Sequence, residues 1–198
     1  MNPSPIRRAL LAAAILVPLA APAAPSAVPA TVWQQLEKSH WIADGNPKAP
    51  RVVYVFTDAN CPFCTKFWSD ARPWVDSGKV QLRHLLVGII APTSAGKAAA
   101  LLTDPDPAAA LAAYERGQGA EATATIASGN PQALRGGALK PLAAIPPAIR
   151  AQIDANQKLM ASLQIPGTPG LVWRDAKGAV HVQMGGRADN FPEMFGPR

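Results

Sequence analysis

Residues 51–64 read RVVYVFTDANCPFC, and this stretch decides the fold. Its first seven residues are mostly β-branched or aromatic, which is typical of a buried strand in a mixed sheet. The three residues DAN that follow, 58–60, favour a turn. From Cys61 to about residue 76 apolar side chains recur at helical spacing, and Pro62 stands where a helix needs no backbone N–H. The sequence therefore predicts a strand, a turn and a helix that begins with Cys61-Pro62-Phe63-Cys64.

The chain of 198 residues has two cysteines, both in this motif, and three histidines placed singly along it, His40, His84 and His181. A zinc site takes four clustered ligands, so this pattern argues against zinc. Covalent haem attachment requires a histidine directly after the second cysteine, where this chain has Thr65. A purely structural disulfide stays open, although a bridge across so short a loop constrains little of the unfolded chain. The pattern favours a redox-active dithiol.

The position of the motif predicts unequal roles for its two thiols. Free N–H groups and the positive end of the helix dipole stabilise a thiolate at a helix N-terminus. We therefore expect Cys61 to be acidic, exposed and the attacking sulfur. Cys64 lies one turn inside the helix, and we expect it to be more buried and to resolve the mixed disulfide that Cys61 forms.

Composition and the first residues indicate one exported domain. The 48% apolar residues can build a core. The net charge of +6 includes Arg7 and Arg8, and the +4 that remains without them is too small to indicate nucleic-acid binding. Arg7 and Arg8 precede an apolar run over residues 9–21 and small residues to Ala24, the layout of a secretory signal peptide cleaved near Ala23-Ala24. The predicted organisation is a signal peptide over 1–24, a leader with a short helix over 25–50, and a catalytic domain over 51–198.

The remaining sequence predicts a sheet interrupted by helices. Residues 80–87 favour a second strand. Residues 93–163 are rich in alanine and broken by glycine and proline, including Gly117, so we expect several short helices, the best formed over 147–163. Residues 171–183 predict a β-hairpin, and residues 190–195 a terminal helical turn.

This order of elements resembles thioredoxin-like oxidoreductases, and four stretches make the resemblance specific. They are SHWIADG at 39–45, VYVFTD at 53–58, the run from FW at 67–68 through ARPWVDSGKVQLR at 71–83 to LLVG at 85–88, and NQKLM at 156–160. The chain resembles the DsbG/DsbC branch of exported thiol-disulfide interchange proteins, with the DsbG members the closer match. The resemblance implies an α/β, thioredoxin-like fold with a helical insertion at about 93–163, between the strand after the CxxC helix and a cis-proline loop.

The resemblance also implies roles for particular residues. Cys61 would be the nucleophile and Cys64 the resolving thiol. Pro62, Phe63 and the pair Thr168-Pro169, with a cis bond, would bind the client. No metal and no cofactor is implied beyond the redox-active Cys61–Cys64 disulfide. The implied partners are exported protein clients with cysteines and a membrane redox partner of DsbD or DsbB type, in the periplasm.

The sequence departs from the family at three points. The dipeptide between the cysteines is usually Pro-Tyr, and here it is Pro62-Phe63. Thioredoxin and DsbA place a buried carboxylate six residues before the first cysteine, where this chain has Val55. About 25 residues separate the predicted signal peptide from the strand at Arg51, so we expect no dimerisation domain, a monomer and weak isomerase activity.

A second class of function stays open. The same groove could grip extended clients in the manner of a chaperone while the disulfide is only structural. An assay that depends on Cys61 separates this binding module from an oxidoreductase.

Overall fold

The computed structural model describes residues 30–197, so the predicted signal peptide and residues 25–29 of the leader lie outside the described residues. The strands of this part are β1 (Ile42–Asp44), β2 (Arg51–Asp58), β3 (Val80–Val87), β4 (Gly170–Arg174) and β5 (Val180–Met184). The α-helices are α1 (Ala30–Glu37), α2 (Pro62–Val75), α3 (Ser94–Leu102), α4 (Pro107–Ala127), α5 (Pro147–Ser162) and α6 (Phe191–Phe195). One 3₁₀ turn, Ala188–Asn190, precedes α6.

The five strands form one mixed sheet in the order β1-β3-β2-β4-β5. β2 and β3 are parallel, with Arg51 opposite Val80 and Asp58 opposite Val87. The other neighbours are antiparallel. β2 therefore lies at the centre of the sheet, and its carboxyl end delivers the chain to the CxxC motif, as the sequence predicts.

Side chains of β2 alternate between two cores because successive strand residues point to opposite faces. Val53 and Val55 pack against α2 and α6 in a cluster that includes Phe67 and Phe191. Tyr54, by contrast, packs on the other face, against α1 and α5. Apolar burial on both faces fixes the register of the central strand, since a shift of one residue would reverse every side chain.

The segment before Arg51 contributes to these cores. The predicted short helix forms as α1, and its Trp33 and Leu36 are buried beside Tyr54. The sequence did not predict β1, which pairs with β3 through Ile42 opposite His84. A strand of three residues is too short to show the alternation by which strands are recognised.

The helical insertion forms α3, α4 and α5, which build a core of their own that includes Leu101, Leu111 and Ile153. The expected break at Gly117 is wrong, because α4 continues through it for 21 residues. A glycine inside a helix costs only about 1 kcal/mol relative to alanine, and packing of the buried face offsets that cost. The helix predicted over 147–163 forms as α5, but α4 is the longest in the described part.

Within residues 30–197, none of the helices is both long enough and apolar enough to span a membrane.

Candidate functional site

The N-terminus of α2 places the two thiols of the CxxC motif. Cys61 is the N-cap residue in an extended conformation, and its sulfur accepts a hydrogen bond from the backbone N–H of Cys64 at 3.3 Å. Pro62 occupies the first turn, where the missing N–H costs no helical hydrogen bond. Both cysteines are free thiols. The predicted position of Cys61 at the start of the helix is confirmed.

The loop before β4 lies against Cys61. The peptide bond between Thr168 and Pro169 is cis, as the resemblance implies. The Cys61 thiol donates to the carbonyl oxygen of Thr168 at 3.3 Å. The Thr168 hydroxyl is also buried, and it makes no hydrogen bond that meets the usual distance and angle limits. This loop therefore brings a carbonyl and a hydroxyl to the attacking sulfur.

These contacts lower the pKa of the Cys61 thiol below its usual value. The largest cause is a hydrogen bond from the Cys64 side chain, which stabilises the Cys61 thiolate. Burial acts in the opposite direction, while the Thr168 side chain and the Cys64 N–H lower the pKa further. The negative charge of Asp58 opposes them. The N–H group at the start of the helix thus lowers the pKa of Cys61 as expected, but the Cys64 thiol lowers it more.

Cys64 has the opposite environment. Burial raises the pKa of its thiol well above the usual value, and the bond to Cys61 and the Cys61 charge add to this effect. The carboxylate of Glu115 raises it further. At neutral pH Cys64 therefore holds its proton while Cys61 more readily gives one up.

The expected difference in exposure is wrong at the level of whole residues. Cys61 is 2% exposed and Cys64 is 3% exposed. Cys61 is covered because the loop that carries Thr168 lies directly against its sulfur. The two thiols therefore differ in their hydrogen bonds and nearby charges rather than in gross accessibility.

The turn before Cys61 is held rigidly from two sides. The Asp58 carboxylate accepts from the backbone N–H groups of Asn60, Ile89 and Ile90 and from the hydroxyl of Ser94, at 2.7–3.0 Å. Since these bonds occupy both of its oxygens, Asp58 acts as a cap, as its place in a turn suggests.

The insertion holds the same turn. The Tyr114 hydroxyl on α4 donates to the carbonyl oxygen of Ala59. The backbone N–H of Leu134, in the loop after α4, donates to the carbonyl oxygen of Asn60 at 2.8 Å. Residues of the insertion, far along the chain, therefore fix the approach to Cys61.

Sequence reasoning missed Glu115. This glutamate of α4 is 1% exposed, and one of its oxygens accepts from the Thr65 hydroxyl at 2.6 Å. Burial raises its pKa to about 7. The sequence carried no clear signal for it, because α4 is rich in alanine and its buried face includes the polar residues Glu115 and Gln118.

The four residues assigned to client contact divide into two kinds. Pro62 and Pro169 are buried, whereas Thr168 is half-buried and Phe63 is 45% exposed. Within the described chain, three further large apolar side chains are exposed, those of Ile89, Ile90 and Met184. Ile89 and Ile90 bond to Asp58 through their backbones, and the Met184 sulfur lies beside Gly167. All of the exposed large apolar side chains in this part thus adjoin the segments around Cys61.

The contacts of two histidines involve groups other than the thiols. His84 is buried on β3, with one ring nitrogen 2.9 Å from the Thr57 hydroxyl oxygen. His181 lies on β5 and stacks on Trp173. Over residues 30–197, no three His, Cys, Asp or Glu side chains are grouped so that they could hold a metal ion.

A family model described as Thioredoxin matches residues 36–181. The chain belongs to the thioredoxin family. The α/β, thioredoxin-like fold predicted from the sequence is thereby confirmed. Among solved structures, the catalytic domain of ScsC from Proteus mirabilis is similar with a TM-score of 0.60 and 21% identity, covering 84% of this chain and 93% of that one. At that identity the likeness shows the thioredoxin-like fold alone.

Two named relatives place the chain within the thioredoxin family. The thiol:disulfide interchange protein DsbG of Pseudomonas aeruginosa is 47% identical over 168 residues, which cover 84% of this chain and 59% of the relative. The DsbG of Escherichia coli is 57% identical over 88 residues, 44% of this chain and 36% of the relative. The resemblance to the DsbG branch is confirmed over the matched segments, which span less than two thirds of either relative.

Proposed function

We propose that the protein is a thiol-disulfide oxidoreductase that exchanges disulfides with exported protein clients, with Cys61 as nucleophile and Cys64 as resolving thiol. The observation that carries the proposal is the contrast between two thiols one helical turn apart. The pKa of Cys61 is lowered and that of Cys64 is raised. The names of the two DsbG relatives support the same class of reaction.

The geometry supports a two-step exchange. The Cys61 thiolate attacks one sulfur of a client disulfide, forming a mixed disulfide and releasing the other client sulfur as a thiolate. Cys64 then loses its proton and attacks the Cys61 sulfur, which releases the client and leaves the Cys61–Cys64 disulfide. The reverse sequence donates the disulfide to a reduced client. Either direction uses only the two cysteines and the client, so no other cofactor enters the proposal.

Client contact falls on the exposed apolar rim around Cys61. Phe63 projects from the first turn of α2, Ile89 and Ile90 follow β3, and Met184 ends β5. Thr168 contacts the Cys61 sulfur through its carbonyl oxygen. Apolar side chains that stay exposed beside a reactive group favour binding of apolar client segments. Pro62 and Pro169, being buried, would shape the site rather than touch the client.

The partner and location follow as parts of the same proposal. Export through the predicted signal peptide, cleaved near Ala23-Ala24, would place the protein in the periplasm. A membrane redox partner of DsbD or DsbB type would then restore the working state of the Cys61–Cys64 pair, since exchange leaves it in the opposite state.

Reduction of insulin disulfides by dithiothreitol tests the proposal. We expect the wild-type protein to accelerate the reaction and Cys61→Ser to be inactive. A binding module with an idle disulfide would behave alike in both forms. The exposed apolar rim is the observation that supports this binding module. The binding module would be favoured if wild type and Cys61→Ser suppressed client aggregation equally and neither exchanged disulfides.

The monomeric state and weak isomerase activity stay predictions. Sedimentation velocity of the mature protein and refolding of a scrambled multi-disulfide substrate measure them. A stable dimer with strong isomerase activity would contradict both.

A further inference from the structure

The exposed apolar rim around Cys61 includes one residue that carries sulfur, Met184. The other three residues of the rim have hydrocarbon side chains, whereas Met184 has a polarizable thioether. Met184 is also the most exposed of the four, at 55%. An accessible thioether therefore lies within the surface that we assign to client contact.

The Met184 sulfur lies against the loop that contacts Cys61. A side chain at Gly167 would bring its Cβ atom to within 3.2 Å of this sulfur. The φ angle of Gly167 is not positive, so the backbone does not require a glycine there, and the missing side chain instead leaves room for the thioether. Gly167 precedes Thr168, whose carbonyl oxygen is 3.3 Å from the Cys61 sulfur. The thioether thus contacts the neighbour of the residue that holds the attacking thiol.

Backbone hydrogen bonds hold Met184 in this position. Met184 ends β5 and lies opposite Gly170 of β4. The backbone N–H of the next residue, Gly185, donates to the carbonyl oxygen of Pro169 at 2.7 Å. The end of β5 and the loop before β4 are therefore joined, and a chemical change of the Met184 side chain alters the surface beside Cys61.

The other methionines of the chain differ from Met184 in exposure. Met160 is 4% exposed and Met194 is 1% exposed, each within an apolar core, while Met1 belongs to the predicted signal peptide. When the two cysteines are paired in a disulfide, neither has a thiolate that a peroxide could oxidise. In that state Met184 carries the most accessible sulfur of residues 30–197.

We propose that Met184 is a site of oxidative modification by hydroperoxides, and that its sulfoxide weakens the capture of apolar clients at Cys61. The inference rests on the proposed function. In the step, the thioether sulfur attacks one oxygen of the peroxide, and the O–O bond breaks. That oxygen becomes the sulfoxide oxygen, and the other leaves with the proton as water or as an alcohol. The sulfur is oxidised by two electrons and the peroxide is reduced by two, so atoms and electrons balance.

The sulfoxide changes the rim in two ways. Its oxygen is a polar acceptor, and an apolar client segment that covers it removes its hydrogen bonds to water. The oxygen also needs space on a sulfur that already lies against Gly167. By contrast, the groups that set the pKa of Cys61 include neither Met184 nor Gly167. We therefore expect a loss of client binding without a loss of thiol reactivity.

Peptide mapping after mild treatment with hydrogen peroxide tests the site. The full mature protein is treated in its disulfide form, which protects the cysteines from the reagent. We expect sulfoxide to form at Met184 at least about ten times faster than at Met160 or Met194, because only its sulfur is open to solvent. Equal rates at the three methionines would overturn the assignment of the site.

Exchange with a disulfide-bonded peptide tests the consequence. The peptide carries apolar residues beside its cysteines, and the treated protein is first reduced with dithiothreitol to regenerate both thiols. We expect the rate with the peptide to fall at least about threefold. The rate with hydroxyethyl disulfide, a small polar reagent that needs no apolar contact, should change less than about 1.5-fold. Incubation with methionine sulfoxide reductases A and B should restore exchange with the peptide.

Two leucine variants make the loss specific to one sulfur. Met184→Leu has no thioether in the rim, so treated and untreated samples of this variant should exchange with the peptide at equal rates. Met194→Leu is the matched control, since a buried methionine tolerates leucine and the exposed thioether is retained. Peroxide should therefore slow Met194→Leu as much as the wild type. Met184→Gln, a polar side chain of similar length, should reproduce the treated wild type with both substrates.

Other results overturn the inference. An unchanged rate in wild type that carries the Met184 sulfoxide would show that client capture does not depend on this sulfur. A loss in treated Met184→Leu would assign the effect to another residue, and an equal loss with hydroxyethyl disulfide would assign it to the thiols. If the untreated wild type does not exchange with the peptide at all, the proposed function fails instead, so the two failures are distinguishable.

Discussion

The outer and inner sides of the α2 N-terminus have been built from different parts of the chain. On the outer side, Cys61 meets Thr168 in the loop before the β4–β5 hairpin, within the sheet that the thioredoxin fold requires. On the inner side, Cys64 and Thr65 meet Glu115 on α4, within the helical insertion. The outer contacts favour a thiolate and the inner contacts favour a thiol. Through Thr168 the sheet thus adds to the acidity of Cys61, and through Glu115 the insertion adds to the raised pKa of Cys64.

Replacing each of the two cysteines in turn by serine gives the sharpest test of this contrast. Cys61→Ser should lose at least about a hundredfold in exchange rate with a disulfide-bonded peptide, because the acidic thiol is gone. Cys64→Ser should retain the first attack and accumulate a mixed disulfide, since nothing resolves it. Non-reducing electrophoresis and mass spectrometry detect the trapped adduct. Accumulation in Cys61→Ser rather than in Cys64→Ser would reverse the roles.

The inner side should impose a measurable dependence of stability on pH. Folding raises the pKa of Glu115 from 4.5 to about 7, so the folded protein holds this proton more tightly than the unfolded chain. The stabilisation is complete below about pH 4.5 and is lost as the pH rises through about 7. The free energy of unfolding of the wild type relative to Glu115→Gln should therefore fall by about 2–3 kcal/mol between pH 4 and pH 8.

Urea unfolding of both proteins across this range measures that difference. Subtracting the variant removes the contributions of the other carboxylates. If the difference in free energy of unfolding does not change with pH, Glu115 keeps an ordinary pKa. Burial on the inner side would then not disfavour its charged form.

The outer side should be distinguishable by its rate of alkylation. In the reduced protein at pH 7, iodoacetamide should modify Cys61 at least about ten times faster than Cys64. The physical reason is the lowered pKa of Cys61 and the raised pKa of Cys64, since only the thiolate reacts. Peptide mapping of the alkylated sites gives both rates in one sample. Equal rates would remove the distinction between the two sides.

A smaller effect should come from the Thr168 hydroxyl. Thr168→Val keeps the shape and the backbone carbonyl but removes a group that lowers the pKa of Cys61. The pKa of Cys61, from thiolate absorbance against pH, should therefore rise. Thr168→Ser should retain the wild-type value. A change of equal size in both variants would assign the effect to packing of the loop instead.

Local sequence signals were sufficient for the outer half of the site. The apolar run before Asp58 and the helical spacing after Cys61 predict the strand, turn and helix that place the cysteines, and these elements form within one residue of the expected bounds. Pairing of Thr168 with Cys61, more than a hundred residues apart, came only from the resemblance to the family. Short-range periodicity carries no information about such a pair.

The inner half was hidden for a physical reason. A glutamate followed by an arginine in an alanine-rich helix is typical of a solvated face, and burial of Glu115 is decided by the packing of α4 on α2. The glycine at 117 also suggested a helix end, although tertiary packing overrides so small a preference. Exposure of Cys61 was misjudged in the same way, since the covering loop lies far along the sequence.

The bonds that the insertion makes to the turn before Cys61 set an order on folding. Tyr114 reaches back 55 residues to Ala59, and the backbone of Leu134 closes on Asn60 from still further along the chain. Contacts between residues so distant in sequence form late, because a long loop must be closed first. A chain that emerges from its N-terminus therefore presents both thiols before Glu115 and Thr168 have been synthesised. The helix start alone distinguishes the two sulfurs at that stage, and the contacts that widen their difference are among the last that the chain can form.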